Sequence, residues 1–292
     1  MIVQPPSHLR ARRPFRQRPR VGAVQYLNTR PLVHGLAGPG IDLGFDLPSR
    51  LADRLSAGDL DLALIPVVEV FRGRHRVVSD ACIGCRGPVM SVKLLFRTAP
   101  QRVATLAIDE GSRTSAALAR ILLAERHGVM PAVEPLPIGA GPADTAADAV
   151  LLIGDRAIGA GLATGSFQLA WDLGDEWCRW TGLPFVFAVW AARDGIDATP
   201  IEPLLARARD SGTANLAAIA AAEAGSHGLT VPQCLSYLRD NLHYHLGPQE
   251  REALAAFQRL AAGLGLAPAA EAAAKPAADT PVAPRPQSPQ PT

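Results

Sequence analysis

Four consecutive polar residues stand where a predicted helix begins, and their chemistry suits an anion. The segment Ser112-Arg113-Thr114-Ser115 follows a predicted strand and precedes an apolar helical stripe. The first N–H groups of a helix have no partner inside it, and the helix dipole is positive at that end. With the hydroxyl groups, these N–H groups could bind a carboxylate without a lysine. In the alternative interpretation, Ser112 is an ordinary N-cap and the other residues are surface.

Three further polar residues follow or begin predicted strands, where a small ligand could reach them. Asn28 comes after the first predicted strand, Ser91 begins a later one, and Asp155 follows a buried strand and a glycine. Each has a simpler alternative, because Asn and Asp often cap turns and a serine hydroxyl often bonds nearby backbone. These residues become more informative when they are taken together with the segment at 112–115.

Cysteines and histidines give a weaker signal. Cys82 and Cys85 form a C-x-x-C pair, which could be redox-active or half of a metal site. A zinc site needs a second close pair, whereas Cys178 and Cys234 are far apart in sequence, so reduced cysteines in a packed loop are favoured. The sequence contains no H-E-x-x-H, G-x-S-x-G, P-loop or G-x-G-x-x-G motif. We therefore expect no metal and no cofactor.

The elements that must position these residues alternate between strand and helix, which predicts crossover units with buried parallel strands. Asn28 and Thr29 are cap candidates for a predicted helix that runs from Pro31 to Leu36. The other main predictions are strands at 21–24, 60–65, 91–97, 103–108, 150–153 and 185–192, and helices at 48–58, 113–126, 203–208, 213–224, 231–242 and 249–263.

Two such α/β units predict two lobes, linked by the strands near 91–97 and 185–192. A ligand would lie between the lobes, at the C-terminal ends of strands and the N-termini of helices. The predicted organisation is a first lobe of residues 20–95 and 190–267, a second lobe of residues 98–184, a disordered basic extension at 1–19 and a disordered tail at 268–292.

Charge is unevenly distributed along the 292 residues. The net charge is +2, but residues 1–20 carry six arginines and no acid, so the remainder carries a net charge of −4. The body therefore lacks the basic excess that is typical of nucleic-acid binding. No apolar run approaches the ~20 residues of a membrane-spanning helix, and no apolar stretch of the signal-peptide type follows the arginines. We expect a cytoplasmic protein with no nucleic-acid partner and no membrane partner.

Six segments in a fixed order carry a resemblance to a known family. They are Val-Gly-Ala-Val-Gln-Tyr-Leu-Asn-Thr-Arg-Pro-Leu (21–32), Gly-Asp-Leu-Asp-Leu-Ala-Leu-Ile-Pro (58–66), Gly-Pro-Val-Met-Ser-Val (87–92), Ser-Arg-Thr-Ser (112–115), Leu-Leu-Ile-Gly-Asp (151–155) and Trp-x-x-x-Thr-Gly-Leu-Pro-Phe-Val-Phe-Ala-Val-Trp (177–190). From about Arg20 to Leu266 the chain resembles the menaquinone-biosynthesis chorismate dehydratase family. One departure is Gln25, where the family often has Ser.

The resemblance implies a periplasmic-binding-protein-like type II fold, with two α/β lobes joined by two crossover strands around a ligand cleft. It implies that chorismate is the substrate, converted to 3-[(1-carboxyvinyl)oxy]benzoate and water in the first step of the futalosine route to menaquinone. With this chemistry, Asn28 and Ser91 are expected to be catalytic, and Ser112, Arg113, Thr114, Ser115 and Asp155 are expected to bind the substrate.

The proton acceptor and the function class each keep an alternative. We hypothesise that the enolpyruvyl carboxylate of the substrate takes the ring proton, whereas Asp155 and His34 are the side chains to test. The main alternative function is a solute-binding protein of the same fold that captures a small anion without catalysis. A regulator's effector domain is a third interpretation, but 20 Arg-rich residues are too few for a DNA-binding domain.

Overall fold

The computed structural model describes residues 18–38, 40–73, 75–159 and 167–269. Residues 1–17 of the predicted extension and residues 270–292 of the predicted tail lie outside the described residues. The carbonyl oxygen of Pro19 accepts a hydrogen bond from the N–H of Asp42 at 3.0 Å. The fold therefore already includes the last residue of the predicted extension.

Eleven strands of the described residues form two mixed sheets. The strands are β1 (Arg20–Val24), β2 (Asp42–Asp46), β3 (Leu62–Pro66), β4 (His75–Cys85), β5 (Val92–Phe96), β6 (Thr105–Asp109), β7 (Ala132–Leu136), β8 (Ala149–Ile153), β9 (Leu169–Asp172), β10 (Phe185–Arg193) and β11 (His243–His245). The six-stranded sheet has the order β11-β4-β10-β3-β1-β2, and the five-stranded sheet has the order β7-β6-β8-β5-β9. β1 is parallel to β2 and β3, and β6 is parallel to β7 and β8. These parallel sets confirm the predicted crossover units.

Helices cover the sheets and join their strands. Within the described ranges, no helix has the length and apolarity that crossing a bilayer requires. The α-helices are α1 (Pro48–Ala57), α2 (Val67–Val70), α3 (Thr114–His127), α4 (Asp155–Ile158), α5 (Leu173–Thr181), α6 (Glu202–Ala214), α7 (Leu216–Glu223), α8 (Val231–Ser236) and α9 (Pro248–Gly263); a 3₁₀ helix spans Leu27–Val33 and a π-helical turn spans Tyr237–Asn241.

The first predicted helix, Pro31 to Leu36, is wrong in type and in both bounds, since the observed element is Leu27–Val33. A 3₁₀ helix begins at Leu27, so Asn28 and Thr29 lie inside it, and its N-cap is Tyr26. The segment is closely packed, because α6 lies directly on it. A Cβ added to Gly212 of α6 would lie 1.9 Å from the carbonyl oxygen of Pro31. Only glycine permits this approach, which holds the segment carrying Asn28 against the six-stranded sheet.

The predicted lobe boundaries divide the strands differently from the two sheets. Residues 92–95 fall in the predicted first lobe, yet β5 lies inside the five-stranded sheet between β8 and β9. Conversely, β10 belongs entirely to the six-stranded sheet, although its first residues fall in the predicted link between the lobes. The chain therefore passes between sheets at residues 86–91 and again at 173–184. We propose these segments as the lobe boundaries.

Candidate active site

Polar segments from both sheets meet at one cleft. Its empty space, with the open mouth included, is about 500 Å³. Six of the seven predicted site residues line it, namely Asn28, Ser91, Ser112, Arg113, Thr114 and Ser115. The rest of the wall is mostly apolar and is formed by Val24, Tyr26, Pro48, Pro66, Ile83, Val89, Val92, Gly111, Ile153, Gly154, Phe187 and Ala188.

The N-terminus of α3 presents donors to this cleft. The N-cap of α3 is Arg113 and not the predicted Ser112. The hydroxyl of Ser112, one residue earlier, accepts a hydrogen bond from the N–H of Ala116 at 3.2 Å. The hydroxyl oxygen of Thr114 accepts one from the N–H of Val68 at 3.4 Å, so this contact joins α3 to α2. Ser112, Thr114 and Ser115 are all buried. Their hydroxyl hydrogens and the first helical N–H groups suit a carboxylate.

Asn28 and Ser91 reach the cleft from segments of different sheets, and both side chains are buried. The amide oxygen of Asn28 accepts a hydrogen bond from the Thr29 hydroxyl at 3.3 Å, so the NH₂ group is the part of this side chain that can donate. Ser91 is fixed through its backbone, since its N–H donates to Val89 at 2.7 Å and its carbonyl accepts from Gly154 at 2.8 Å. The site thus combines two neutral side-chain donors with the end of α3.

Two buried tyrosines at the site were not singled out from the sequence. The Tyr26 ring lies against Gly154, where an added Cβ would be 2.6 Å from the ring and φ is +62°. Tyr26 lines the cleft, and its buried hydroxyl has no hydrogen-bond partner among the described residues. Burial, with the charges of Asp109 and Asp155, raises the pKa of Tyr26. Its phenol therefore stays neutral and can only donate or accept a hydrogen bond.

Tyr237 opens the π-helical turn and has no exposed surface. Its hydroxyl lies beside Ser91 and Asn28, although the geometry falls short of a hydrogen bond. Burial raises the pKa of Tyr237, while the neighbouring Ser91 and Asn28 side chains oppose the shift. The sequence carries no signal for this contact, because Tyr237 is far from both residues along the chain.

Asp155 does not line the cleft, in contrast to the predicted substrate contact. Its Oδ1 accepts a hydrogen bond from the N–H of Leu27 at 3.1 Å, and its Oδ2 lies 3.1 Å from Nδ1 of His227. Burial raises the pKa of Asp155, although the Leu27 N–H and His227 oppose the shift. Binding of substrate by Asp155 stays a prediction, and the geometry favours a bridge between α4 and the segment that carries Asn28.

Arg113 lines the cleft, but carboxylates already contact its guanidinium group. Nη2 lies 2.8 Å from both carboxylate oxygens of Asp53, and Nη1 lies 3.4 Å from Oε1 of Glu69. Asp53 lies in α1 and Glu69 in α2, which both connect strands of the six-stranded sheet. Arg113 instead follows β6 of the five-stranded sheet. Substrate binding by Arg113 also stays a prediction, and the geometry favours a contact that holds the two sides of the cleft together.

The C-x-x-C pair lies in a strand and not in a packed loop as predicted. Cys82 and Cys85 are buried free thiols of β4. A hydrogen bond with Cys178, together with burial, raises the pKa of Cys85 well above the usual range. In the part of the chain that the structure describes, no group of three or more His, Cys, Asp and Glu side chains is placed to hold a metal ion.

Two mixed α/β sheets, with a cleft lined by residues from both, are typical of one class of protein. Its architecture is the periplasmic-binding-protein fold. The protein AF1704 of Archaeoglobus fulgidus is similar, with a TM-score of 0.65 and 18% identity over 86% of this chain and 98% of that one. The periplasmic aliphatic sulphonate binding protein SsuA of Escherichia coli has a TM-score of 0.59 and 17% identity over 87% of this chain and 89% of that one.

Sequence similarity identifies the family within this fold. Residues 19–263 match the family described as menaquinone biosynthesis. The chain is also 35% identical to the chorismate dehydratase of Thermus thermophilus, over 85% of this chain and 96% of that protein. The chain therefore belongs to the menaquinone biosynthesis family, as the motif order in the sequence predicted.

Proposed function

We propose that this protein is a chorismate dehydratase, a hydro-lyase that converts chorismate to 3-[(1-carboxyvinyl)oxy]benzoate and water at the start of the futalosine route to menaquinone. One observation carries the proposal: neutral donors from both sheets converge on an apolar cleft in a chain that is 35% identical to a chorismate dehydratase. The expected cytoplasmic location and the chorismate substrate are parts of this proposal.

The donors of the cleft match the needs of this reaction. Chorismate carries two carboxylates, and the N-terminus of α3 with Ser112, Thr114 and Ser115 would bind one of them. Loss of the C3 proton builds negative charge on the ring carboxylate, and the C4 hydroxyl then leaves as the ring becomes aromatic. Asn28 and Ser91 would donate hydrogen bonds to the ring carboxylate or to the leaving hydroxyl, because preorganised donors stabilise developing charge.

The lining residues favour a proton acceptor that belongs to the substrate. The described residues that line the cleft include no carboxylate, imidazole, thiol or amine, and the titratable groups among them are Arg113 and the neutral Tyr26. Neither is a general base at neutral pH. The enolpyruvyl carboxylate of chorismate would therefore take the C3 proton, and the protein would fix the reacting geometry.

The test is direct turnover of chorismate by the purified full chain, followed by absorbance and by mass. We expect an aromatic product whose mass is lower than that of chorismate by one water, without an added cofactor. Asp155→Asn and His34→Ala should still form product. Tight binding of chorismate without product would refute the proposal and favour the alternative, a solute-binding protein for small anions. Complete loss of turnover with normal binding in either variant would refute the substrate-assisted step.

A further inference from the structure

Ser91 is presented by a strained backbone turn that lies in the first segment between the sheets. The N–H of Ser91 donates to the carbonyl oxygen of Val89 at 2.7 Å, which closes a three-residue turn centred on Met90. Met90 has a φ of +64°, and no other described non-glycine residue has a positive φ. A γ-turn with positive φ at its centre is rare and strained. Such strain persists only where the surroundings hold it.

The carboxylate of Asp172, which precedes the second segment between the sheets, holds this turn. Asp172 ends β9, and its Oδ1 accepts a hydrogen bond from the N–H of Val89 at 2.9 Å. Its Oδ2 accepts one from the N–H of Met90 at 2.7 Å. The same Oδ1 also caps α5 by accepting from the N–H groups of Gly174 and Asp175 at 3.0 and 3.2 Å. Four backbone donors from both crossings thus converge on Asp172.

We propose that Asp172 is a positioning residue for Ser91: its carboxylate keeps Met90 in the positive-φ turn and thereby sets the direction of the Ser91 hydroxyl in the cleft. The inference rests on the proposed function, in which that hydroxyl acts on chorismate. The carbonyl of Ser91 accepts a hydrogen bond from the N–H of Gly154, which fixes the backbone after Ser91. Asp172 fixes the backbone before Ser91 by holding the turn at Met90. A displacement of about 1 Å at a reacting group can cost ~100-fold in rate.

Asp172→Asn is a selective variant, because it removes mainly the hydrogen bond from the N–H of Met90 and can keep the three bonds to Oδ1. The asparagine oxygen can replace Oδ1, but its NH₂ group then faces the N–H of Met90, where both groups are donors. We expect kcat for chorismate to fall about tenfold or more with KM within about twofold, as for an interaction that matters in the transition state. Asp148→Asn is the matched control, since Asp148 accepts from the N–H groups of Ala104 and Thr105 away from the cleft.

A second substitution separates positioning from general damage. In the Asp172→Asn background, Met90→Gly should raise kcat several-fold, because glycine adopts positive φ without strain. Met90→Ala removes the same packing but keeps the strain, so it should not restore kcat. If Asp172→Asn does not fold, Asp172→Ser can still cap α5 but is too short to hold the turn, and the same comparison applies.

Amide hydrogen exchange at residues 89–91 gives a readout that does not require turnover. We expect faster exchange there in Asp172→Asn and unchanged exchange in Asp148→Asn. The inference would be overturned if Asp172→Asn left both kcat and amide exchange unchanged. It would also be overturned if Met90→Gly and Met90→Ala gave the same kcat in the Asp172→Asn background. Inactive wild-type protein with the expected exchange pattern would instead refute the proposed function alone, while the turn-holding role of Asp172 would stand.

Discussion

The carboxylate of Asp155, at the start of α4, accepts a hydrogen bond at 3.1 Å from the backbone N–H of Leu27, which precedes Asn28. Asp155 follows β8 of the five-stranded sheet and Leu27 follows β1 of the six-stranded sheet, so this bond joins segments of the two sheets. The ion pair of Arg113 with Asp53 likewise joins the segment before α3 to α1, on the side of the six-stranded sheet. Polar contacts therefore join segments of the two sheets, and neither of these two contacts needs a ligand.

Asp155 gives a prediction on pH. Burial raises the pKa of Asp155 above that of an exposed carboxyl, so the folded state binds this proton more tightly than the unfolded state. Its contribution to stability is therefore largest below about pH 4 and is lost as pH rises through the folded pKa.

The check is urea unfolding of the wild type and Asp155→Asn at several pH values between about 4 and 7, which bracket the loss of that proton. The asparagine can keep the Leu27 bond but does not titrate. We expect the free energy of unfolding of the wild type, relative to the variant, to increase as pH falls. A difference that decreases on acidification would show that the His227 pairing outweighs burial.

Ser91 and Thr114 should have separable kinetic effects. Ser91→Ala should lower kcat by about 100-fold with a small change in KM, because its donor acts on charge that develops in the reaction. Thr114→Val should instead raise KM, because this residue would hold a carboxylate that is charged in the bound substrate and in the transition state.

Steady-state kinetics with chorismate distinguishes the two effects. Thr213→Val is the control, since the Thr213 hydroxyl bonds the Arg209 carbonyl within α6 and lies outside the cleft lining. Unchanged kcat in Ser91→Ala would remove Ser91 from the catalytic set.

Arg113 provides a direct comparison between an ion-pair role and a substrate-contact role. We expect Arg113→Gln and Asp53→Asn to be non-additive in the free energy of unfolding, with a coupling of about 0.2–1 kcal/mol, as for a partly exposed pair. KM for chorismate should stay within about twofold in both, because neither side chain would then touch the substrate. A large rise in KM in Arg113→Gln but not in Asp53→Asn would support the substrate contact predicted from the sequence.

The close approach of α6 to the Asn28 segment predicts a sharp effect of one methyl group. Gly212→Ala would place a Cβ 1.9 Å from the carbonyl oxygen of Pro31, so we expect a loss of about 1–3 kcal/mol in the free energy of unfolding. Gly263→Ala at the end of α9 is the control, because nothing lies within 4 Å of its added Cβ. Denaturant unfolding of both variants decides the matter, and equal stability would contradict the packing of α6 on this segment.

Local patterns in the sequence predicted the elements that carry most of the site. Pro48 and Gly58 bound α1, with Gly58 in the left-handed region at φ +86°. Continuous apolar runs predicted the fully buried strands β3 and β8. The polar loops after such strands then indicated the cleft residues, because a sheet with covered faces exposes its strand ends.

The parts that were missed depend on contacts between distant residues. β2 is an edge strand with no buried residue, so it has no apolar run to predict it. Asp172 acts through the N–H groups of Val89 and Met90, and backbone donors leave no trace in residue type. Likewise, the carboxylates that engage Arg113 lie on segments far away in the chain, so its charge alone suggested an anion ligand.

The placement of β10 between β3 and β4 has a consequence for how the chain is made. The strands of the five-stranded sheet all lie within residues 92–172, so they can pair while the ribosome is still adding the rest. The six-stranded sheet stays divided until residues 185–193 emerge and enter its middle. We therefore expect pulse-labelled nascent chains to gain protease resistance first in the strands of the five-stranded sheet, and simultaneous protection of both sheets would contradict this order.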